Sequence, residues 1–229
     1  DLPTLINRVC ENVNGVPLPH LHPQLRPDVK AAETQYGGTA NFGPSWPDDQ
    51  FVFGSNRPGK HKSGKISEEI VNSWAELMKA HGMKRVVCLL HPKGKLKLYD
   101  HLKGGLQGQY ESKFGADNVL MIPIPDIDIA TEDQIVEIVN FFSESERLRL
   151  PAVVHCSAGL GRTGHVLAVW RKYRWNLERN HALKQEGFAP ASRYPLEALS
   201  EKSEHLGRLI DREDYYHLMH VVESREENH

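Results

Sequence analysis

"VVHCSAGLGRTGH", residues 153 to 165, places an apolar run ending in a histidine ahead of a cysteine, five mostly small residues and an arginine. With the preceding "PA", the apolar run reads as a buried strand ending at His155. From Arg162 onward, "TGHVLAVWRKYRW" puts Val166, Val169, Trp170 and Tyr173 on one side of a helix. A strand, a tight loop and a helix in that order make a βα junction. In open α/β sheets the crevice outside the C-terminal ends of the strands is where ligands bind.

The flanking sequence repeats the alternation. "QFVFGS" (50–55), "KRVVCLL" (84–90) and "NVLMIPIP" (118–125) are strand candidates. Between them lies "SEEIVNSWAELMKAHG", in which Ser67 can cap a helix carrying Val71, Trp74 and Met78 and Gly82 stops it. The polar stretch from His91 to Asp117 is predicted to hold a short helix. Thr131 and Gln134 have capping-box spacing ahead of Ile135, Ile138, Val139 and Phe142. Two further helices are predicted beyond Pro195, within "RYPLEALSEKSE" and "DREDYYHLMHVVES". The expected fold class is α/β, with a central, mostly parallel sheet of four to five strands and helices on both faces. Residues 1–48, rich in Pro, Asn, Gly and His, read as a loop-rich N-terminal extension, and 49–229 as the main domain.

Composition narrows the function classes. A formal net charge of -2 argues against a whole-protein footprint for nucleic acid or anionic membrane. No apolar run is long enough for a membrane span. The sequence starts at Asp1, so an upstream targeting segment is left open. Cys10, Cys88 and Cys156 are too few and too scattered for a disulfide framework, and an intracellular, cytoplasmic location is the expectation. Oligomeric state cannot be read from the sequence.

The loop carries the chemistry. Ser157, Ala158, Gly159, Leu160 and Gly161 are small enough for successive N–H groups to converge on an anion, and the following helix adds its positive end. Phosphate is the natural occupant. The same amides and Arg162 favour a thiolate at Cys156, the expected nucleophile. Arg162 would grip two phosphate oxygens with its planar fork and tighten on them in the transition state. A P-loop NTPase needs Gly where Cys156 stands and Lys where Arg162 stands, so that reading fails.

"HCSAGLGRTG" resembles the His-Cys-x5-Arg-Thr/Ser signature of the protein tyrosine phosphatase superfamily. The order of elements around it is similar to the dual-specificity branch, from about Phe51 to Tyr194. Transfer of a phosphoryl group to cysteine also needs a proton for the departing oxygen, and "IPIPDIDIATEDQ" supplies two candidate acids. The resemblance implies Asp126, with Asp128 as the alternative. It further implies that His155 orders the loop and that the Thr163 hydroxyl donates to the sulfur. Two covalent steps would then need no metal and no cofactor.

The expected activity is hydrolysis of phosphomonoesters, phosphotyrosine and possibly phosphoserine or phosphothreonine, in a phosphorylated protein substrate. Phosphoinositide and phosphoglucan are the alternative substrates. "SAGLG" lacks the lysines that phosphoinositide-directed relatives often carry, while Trp46, Trp170 and Trp175 leave stacking surfaces for glucan possible. A catalytically silent phospho-binding module and a sulfur-transfer loop are the competing classes. Some relatives pair the nucleophile with a second cysteine, which would make Cys88 a redox partner. Cys10 has no assigned role. "HLH" (20–22) is a weak metal signal, and the basic "HPKGKLK" (91–97) could steer an anionic substrate toward the site.

Overall fold

A computed structural model describes residues 27–45, 49–126 and 128–175, with no side-chain description for Lys172 and Trp175. Cys10, the histidines at 20 and 22, Trp46 and the two helices expected beyond Pro195 lie outside the described residues.

Among the described residues, five strands form one sheet: β1 (Gly43–Pro44), β2 (Val52–Ser55), β3 (Arg85–Cys88), β4 (Val119–Met121) and β5 (Ala152–His155). Their spatial order is β1-β2-β5-β3-β4. Only β1 runs antiparallel to its neighbour. The register sets Ser55 and Cys88 on either side of His155. The sequence that follows β5 therefore leaves the sheet at its centre, flanked by the C-terminal ends of β2 and β3.

Both faces of the sheet are covered, which explains the fully buried β2, β3 and β5. Alternate residues feed two cores. Val52, Val87, Ala152 and Val154 pack with α4 (Glu132–Leu148) and α5 (Gly161–Trp175). Phe53, Val86, Cys88 and Val153 pack on the other face with α2 (Glu68–Ala80) and α3 (Gly105–Phe114). The stretch from His91 to Asp117 holds α3 and a short 3-10 turn, Lys95–Tyr99.

Two polar side chains lock layers together. Asp49 is buried ahead of β2 and accepts from the N–H groups of Phe51 (2.9 Å) and Val52 (3.0 Å), from Trp170 Nε1 (2.9 Å) and from the Ser45 hydroxyl. Arg85, buried on β3, donates to Phe141 O (3.0 Å), Ser145 Oγ (2.9 Å) and Glu144 (2.6 Å), fixing α4 to the sheet.

The structure departs from the sequence reading at two places. The stretch read as a loop-rich extension contains α1 (Pro27–Tyr36), which packs against α2. Proline at its first position and Asp28 in its first turn favour the helix. Val29 is its one fully buried residue, and with the partly buried Ala32 and Tyr36 it makes only a short, weak apolar stripe. Ser67 does occupy the N-cap of α2, but its side chain makes no capping bond and its hydroxyl engages Glu69 instead. The capping box of α4 is complete, with Thr131 Oγ1 accepting from Gln134 N–H (3.3 Å) and Gln134 Oε1 accepting from Thr131 N–H (3.0 Å). Gln134 Nε2 also donates to Pro123 O (3.2 Å), joining α4 to the loop after β4.

Thr131→Ala should therefore lower unfolding stability by about 1 kcal/mol in a urea titration, the usual worth of an N-cap. Ser67→Ala should leave the midpoint near wild type, and equal losses would show that the two caps had been wrongly distinguished.

Candidate active site

Cys156 sits just past the C-terminal tip of β5, nearly buried at 3% exposure. Among the described residues no peptide bond is cis, so each carbonyl of the loop points away from the N–H of the next residue. The carbonyls from 156 to 160 are all engaged. Cys156 O accepts from His155 Nδ1 (3.1 Å) and Ser157 O from Arg57 N–H (3.3 Å). Ala158 O and Gly159 O accept from Asn41 Nδ2, both at 3.3 Å. Leu160 O accepts from Gly164 N–H (2.7 Å). With these carbonyls tied down, the N–H groups of Ser157, Ala158, Gly159, Leu160 and Gly161 are turned to the opposite sides of their peptide planes. Among the described residues, none of the N–H groups of 157–163 finds an acceptor. Unpaired backbone donors at the start of a long helix form an anion site.

Gly159 is what permits this bend. Its φ is +70°, and a Cβ there would lie 2.5 Å from Ser55 O and 2.8 Å from Asn56 N. A side chain is excluded both by conformation and by the backbone leaving β2. Asn41 buttresses the loop from the far side with its own φ of 56°, next to Ala40 at 54°.

His155 fixes the base of the loop. A carbonyl only accepts, so Nδ1 carries the proton given to Cys156 O, and Nε2 accepts from the Tyr110 hydroxyl at 2.8 Å. Burial lowers the imidazole to about 4 and keeps it neutral. Burial also holds Tyr110 well above its ordinary value, preserving it as a donor. Tyr110 is a positioning residue that the sequence did not reveal, because its partner lies 45 residues away.

Arg162, on the first turn of α5, has a buried guanidinium at the sheet rim. Nη1 donates to Ile124 O (2.8 Å) and Leu89 O (3.3 Å), while Nη2 is 2.9 Å from Asp126 Oδ1. The structure thus brings Asp126 to the arginine of the loop, with its carboxylate largely exposed. Asp128 is held differently. Its Oδ1 accepts from Ile129 N–H (3.0 Å), and its charge is felt by the buried His165.

Other expected roles look different in place. The Thr163 hydroxyl is buried and makes no hydrogen bond, to sulfur or to any other described atom. Cys88 and Cys156 are both free thiols and belong to the cores on opposite faces of the sheet. Burial pushes the Cys88 thiol up to about 12, so it is protonated at neutral pH. Trp170 is 1% exposed and bonded to Asp49, so it offers no stacking surface. Among the described residues, no cluster of three His, Cys, Asp or Glu is placed to hold a metal. Among the same residues, no helix is long and apolar enough to cross a membrane.

A family model described as Tc-R-P, the polymorphic toxin system DSP-PTPase phosphatase, matches residues 60–174. No curated protein sequence matches the chain. Among solved structures, kinase associated phosphatase (KAP) is similar over 77% of this chain and 89% of its own, at 15% identity and a TM-score of 0.50. Tk-PTP in its active form aligns over 79% of this chain and 99% of its own, at 23% identity and a TM-score of 0.45. TpbA of P. aeruginosa in complex with pTyr aligns over 80% and 91%, at 14% identity and a TM-score of 0.48.

Gly159→Ala should abolish calorimetric binding of tungstate while leaving the far-UV circular dichroism unchanged, and retained binding would show that the loop tolerates a Cβ. A second expectation concerns His165, whose two ring nitrogens have no partner among the described residues. Burial lowers this imidazole to about 4 against an ordinary 6.5, with Asp128 partly opposing. The unfolded chain therefore takes up a proton below about pH 6.5 that the folded protein refuses until about pH 4. Stability is full above that window and falls as pH drops through it. His165→Leu should match or exceed wild type at pH 7.5 and recover about 2 kcal/mol of the loss at pH 5. Parallel pH profiles for the two proteins would contradict this. The buried Asp49, pushed up to about 6, titrates with the opposite sign in both and cancels from the comparison.

Proposed function

The chain belongs to the Tc-R-P family of DSP-PTPase phosphatases, and from that premise we propose a cysteine-dependent phosphomonoester hydrolase with Cys156 as its nucleophile. The observation that carries this reading is the loop in which the carbonyls from 156 to 160 are engaged and the following N–H groups are free. A phosphoryl group seated on those donors would place phosphorus opposite the Cys156 sulfur at the loop's origin.

In the first step the Cys156 thiolate forms the S–P bond as the P–O bond to the leaving group breaks. Asp126 gives its proton to that departing oxygen. A phosphate oxygen arriving at Arg162 Nη2 would take the place now held by Asp126 Oδ1, and the exchange would free the carboxyl for this task. In the second step ionised Asp126 accepts a proton from water, the water oxygen attacks phosphorus, and the S–P bond breaks to return the thiolate and release phosphate. The loop N–H groups and Arg162 stabilise the charge on the equatorial oxygens in both steps. The Thr163 hydroxyl, with no partner among the described residues, is available to donate to the departing sulfur.

Asp126 is preferred to Asp128 because it is the carboxylate in contact with Arg162. The proposed substrates are phosphotyrosine and phosphoserine or phosphothreonine in proteins. Exposed Lys93, Lys95 and Lys97 after β3 add positive charge that favours phosphorylated surfaces.

Cys156→Ser should abolish turnover of an aryl phosphate while keeping affinity for tungstate, and substantial residual turnover would refute the nucleophile. Asp126→Ala should slow an alkyl phosphate by about a hundredfold or more and an activated aryl phosphate far less. It should also flatten the alkaline limb of the pH–rate profile. If Asp128→Ala produces these effects instead, the acid is Asp128.

A further inference from the structure

Two segments that are far apart in sequence and free of acid meet at one edge of the molecule and carry six lysines there. No Asp or Glu occurs from 50 to 67 or from 77 to 99. In the first stretch Lys62 and Lys65 are exposed and Lys60 is half-buried, and in the second Lys93, Lys95 and Lys97 are exposed. Residues 58 to 66 form an arch whose two feet rest on the end of the 3-10 turn Lys95–Tyr99. At one foot Pro58 O accepts from the Tyr99 hydroxyl (2.6 Å), and at the other Ile66 N–H donates to Leu98 O (3.1 Å). Buried Arg57 secures the first foot, donating through Nη1 to Pro58 O (2.9 Å), Gly59 O (3.0 Å) and the Tyr99 hydroxyl (3.1 Å). Ile66 secures the second, fully buried in the same core as Tyr99. Gly59 draws the arch closed, since a Cβ there would lie 3.0 Å from Ile66 Cδ1. Lys60, Lys62 and Lys65 therefore stand beside Lys95 and Lys97 on a fixed backbone.

Among the described residues none of these lysines has a carboxylate partner. Lys79, Arg147 and Arg174 do have one, in Glu76, Glu144 and Glu146. The acids nearest in sequence are Glu68, Glu69 and Asp100, and Glu69 is engaged by the Ser67 hydroxyl. A chain of net charge -2 thus keeps a block of positive charge unneutralised at one rim. Such a block attracts its complement over about 8 Å at physiological ionic strength.

The side chains also favour one kind of anion. Single-stranded nucleic acid is held by aromatic faces and arginine forks, and a bilayer surface takes apolar side chains along with charge. Here the fixed charges are lysines, and among the described residues the one exposed large hydrophobic is Leu148. It ends α4, which packs on the opposite face of the sheet from Ile66 and Tyr99. Lysine offers a point charge on a flexible stem, suited to carboxylates spaced irregularly along an extended chain.

We propose that this lysine face is a docking surface for a polypeptide segment rich in Asp and Glu. Its backbone is ordered before the partner arrives, so the cost of binding falls mainly on the lysine stems and the partner. The surface is defined without reference to the chemistry assigned to Cys156, and neither requires the other.

The test uses the full chain and reads fluorescence anisotropy of a labelled peptide of mixed Asp, Glu and Gly, with a Gln, Asn and Gly peptide as the neutral control. One variant carries Lys60→Gln, Lys62→Gln and Lys65→Gln, and another Lys93→Gln, Lys95→Gln and Lys97→Gln. A third, with Lys30→Gln, Lys84→Gln and Arg147→Gln, removes the same charge from exposed positions elsewhere. Saturable binding of the acidic peptide and not of the neutral one is expected, weakening with added salt. Each of the first two variants should lose about tenfold in affinity, the sum of three exposed ion pairs, and the third less than about twofold. All three variants should melt with wild type, because the side chains removed are solvated. Equal binding of both peptides would overturn the proposal. Equal losses in all three variants would reduce it to net charge, and a loss in only one of the first two would break the single surface. Polyuridine or phosphatidylserine vesicles binding more tightly than the acidic peptide would assign the face to another partner. No turnover is read, so an inactive protein that binds the peptide would overturn the proposed function and leave the docking surface standing.

Discussion

The site depends on the direction of five peptide planes. Between Cys156 and Leu160 each carbonyl has an acceptor's task outside the loop, and in a trans peptide that commitment decides where the next N–H points. The partners come from across the fold: His155 from the strand, Arg57 and Asn41 from the segments flanking β2, and Gly164 from the helix. Orienting the donors in the folded protein removes a cost that a mobile loop would pay at each binding event, which is the physical meaning of preorganisation.

Sheet order places these partners within reach. β5 lies between β2 and β3, so the loop leaving it is bordered by Ser55 and Asn56 on one side and by Leu89 on the other. Gly159 can press onto the β2 exit only because it lacks a Cβ. On the other side Arg162 gathers Leu89 O, Ile124 O and the Asp126 carboxylate, so the ends of β3 and β4 are tied to the first turn of α5. The roles proposed for Asp126 and Arg162 are thus physically coupled, since the two groups hold one another where phosphate would divide them. On the buried face the chain from Tyr110 through His155 to the Cys156 carbonyl connects α3 to the same loop.

Local pattern made much of this readable. The period of Val71, Trp74 and Met78, the capping box at Thr131 and the continuous apolar β5 each specify an element without outside help, and each stands where expected. The small residues between Cys156 and Arg162 likewise announce the tight turn that joins β5 to α5. What escaped is non-local. Asn41 meets the loop from more than a hundred residues away, with |i−j| of 117 and 118. Tyr110 and Arg57 carry no periodic signal of their roles either. α1 was hard to see because its inward side is only Val29, fully buried, with Ala32 and Tyr36 partly buried behind it. Ser67 shows the converse failure: the right residue at the right position turns its hydroxyl to donate to the Glu69 carboxylate instead of accepting from a backbone N–H of the first turn.

The central claim is that the free amides of the loop form an oxyanion seat in front of Cys156. Amide chemical shifts of the isotopically labelled Cys156→Ser protein, followed through a phosphate titration, address it most directly. The account predicts saturable shifts concentrated on the N–H groups of Ser157 to Thr163, with Asp126 perturbed as Arg162 changes partner. Shifts centred elsewhere, with those amides unmoved at saturation, would contradict it.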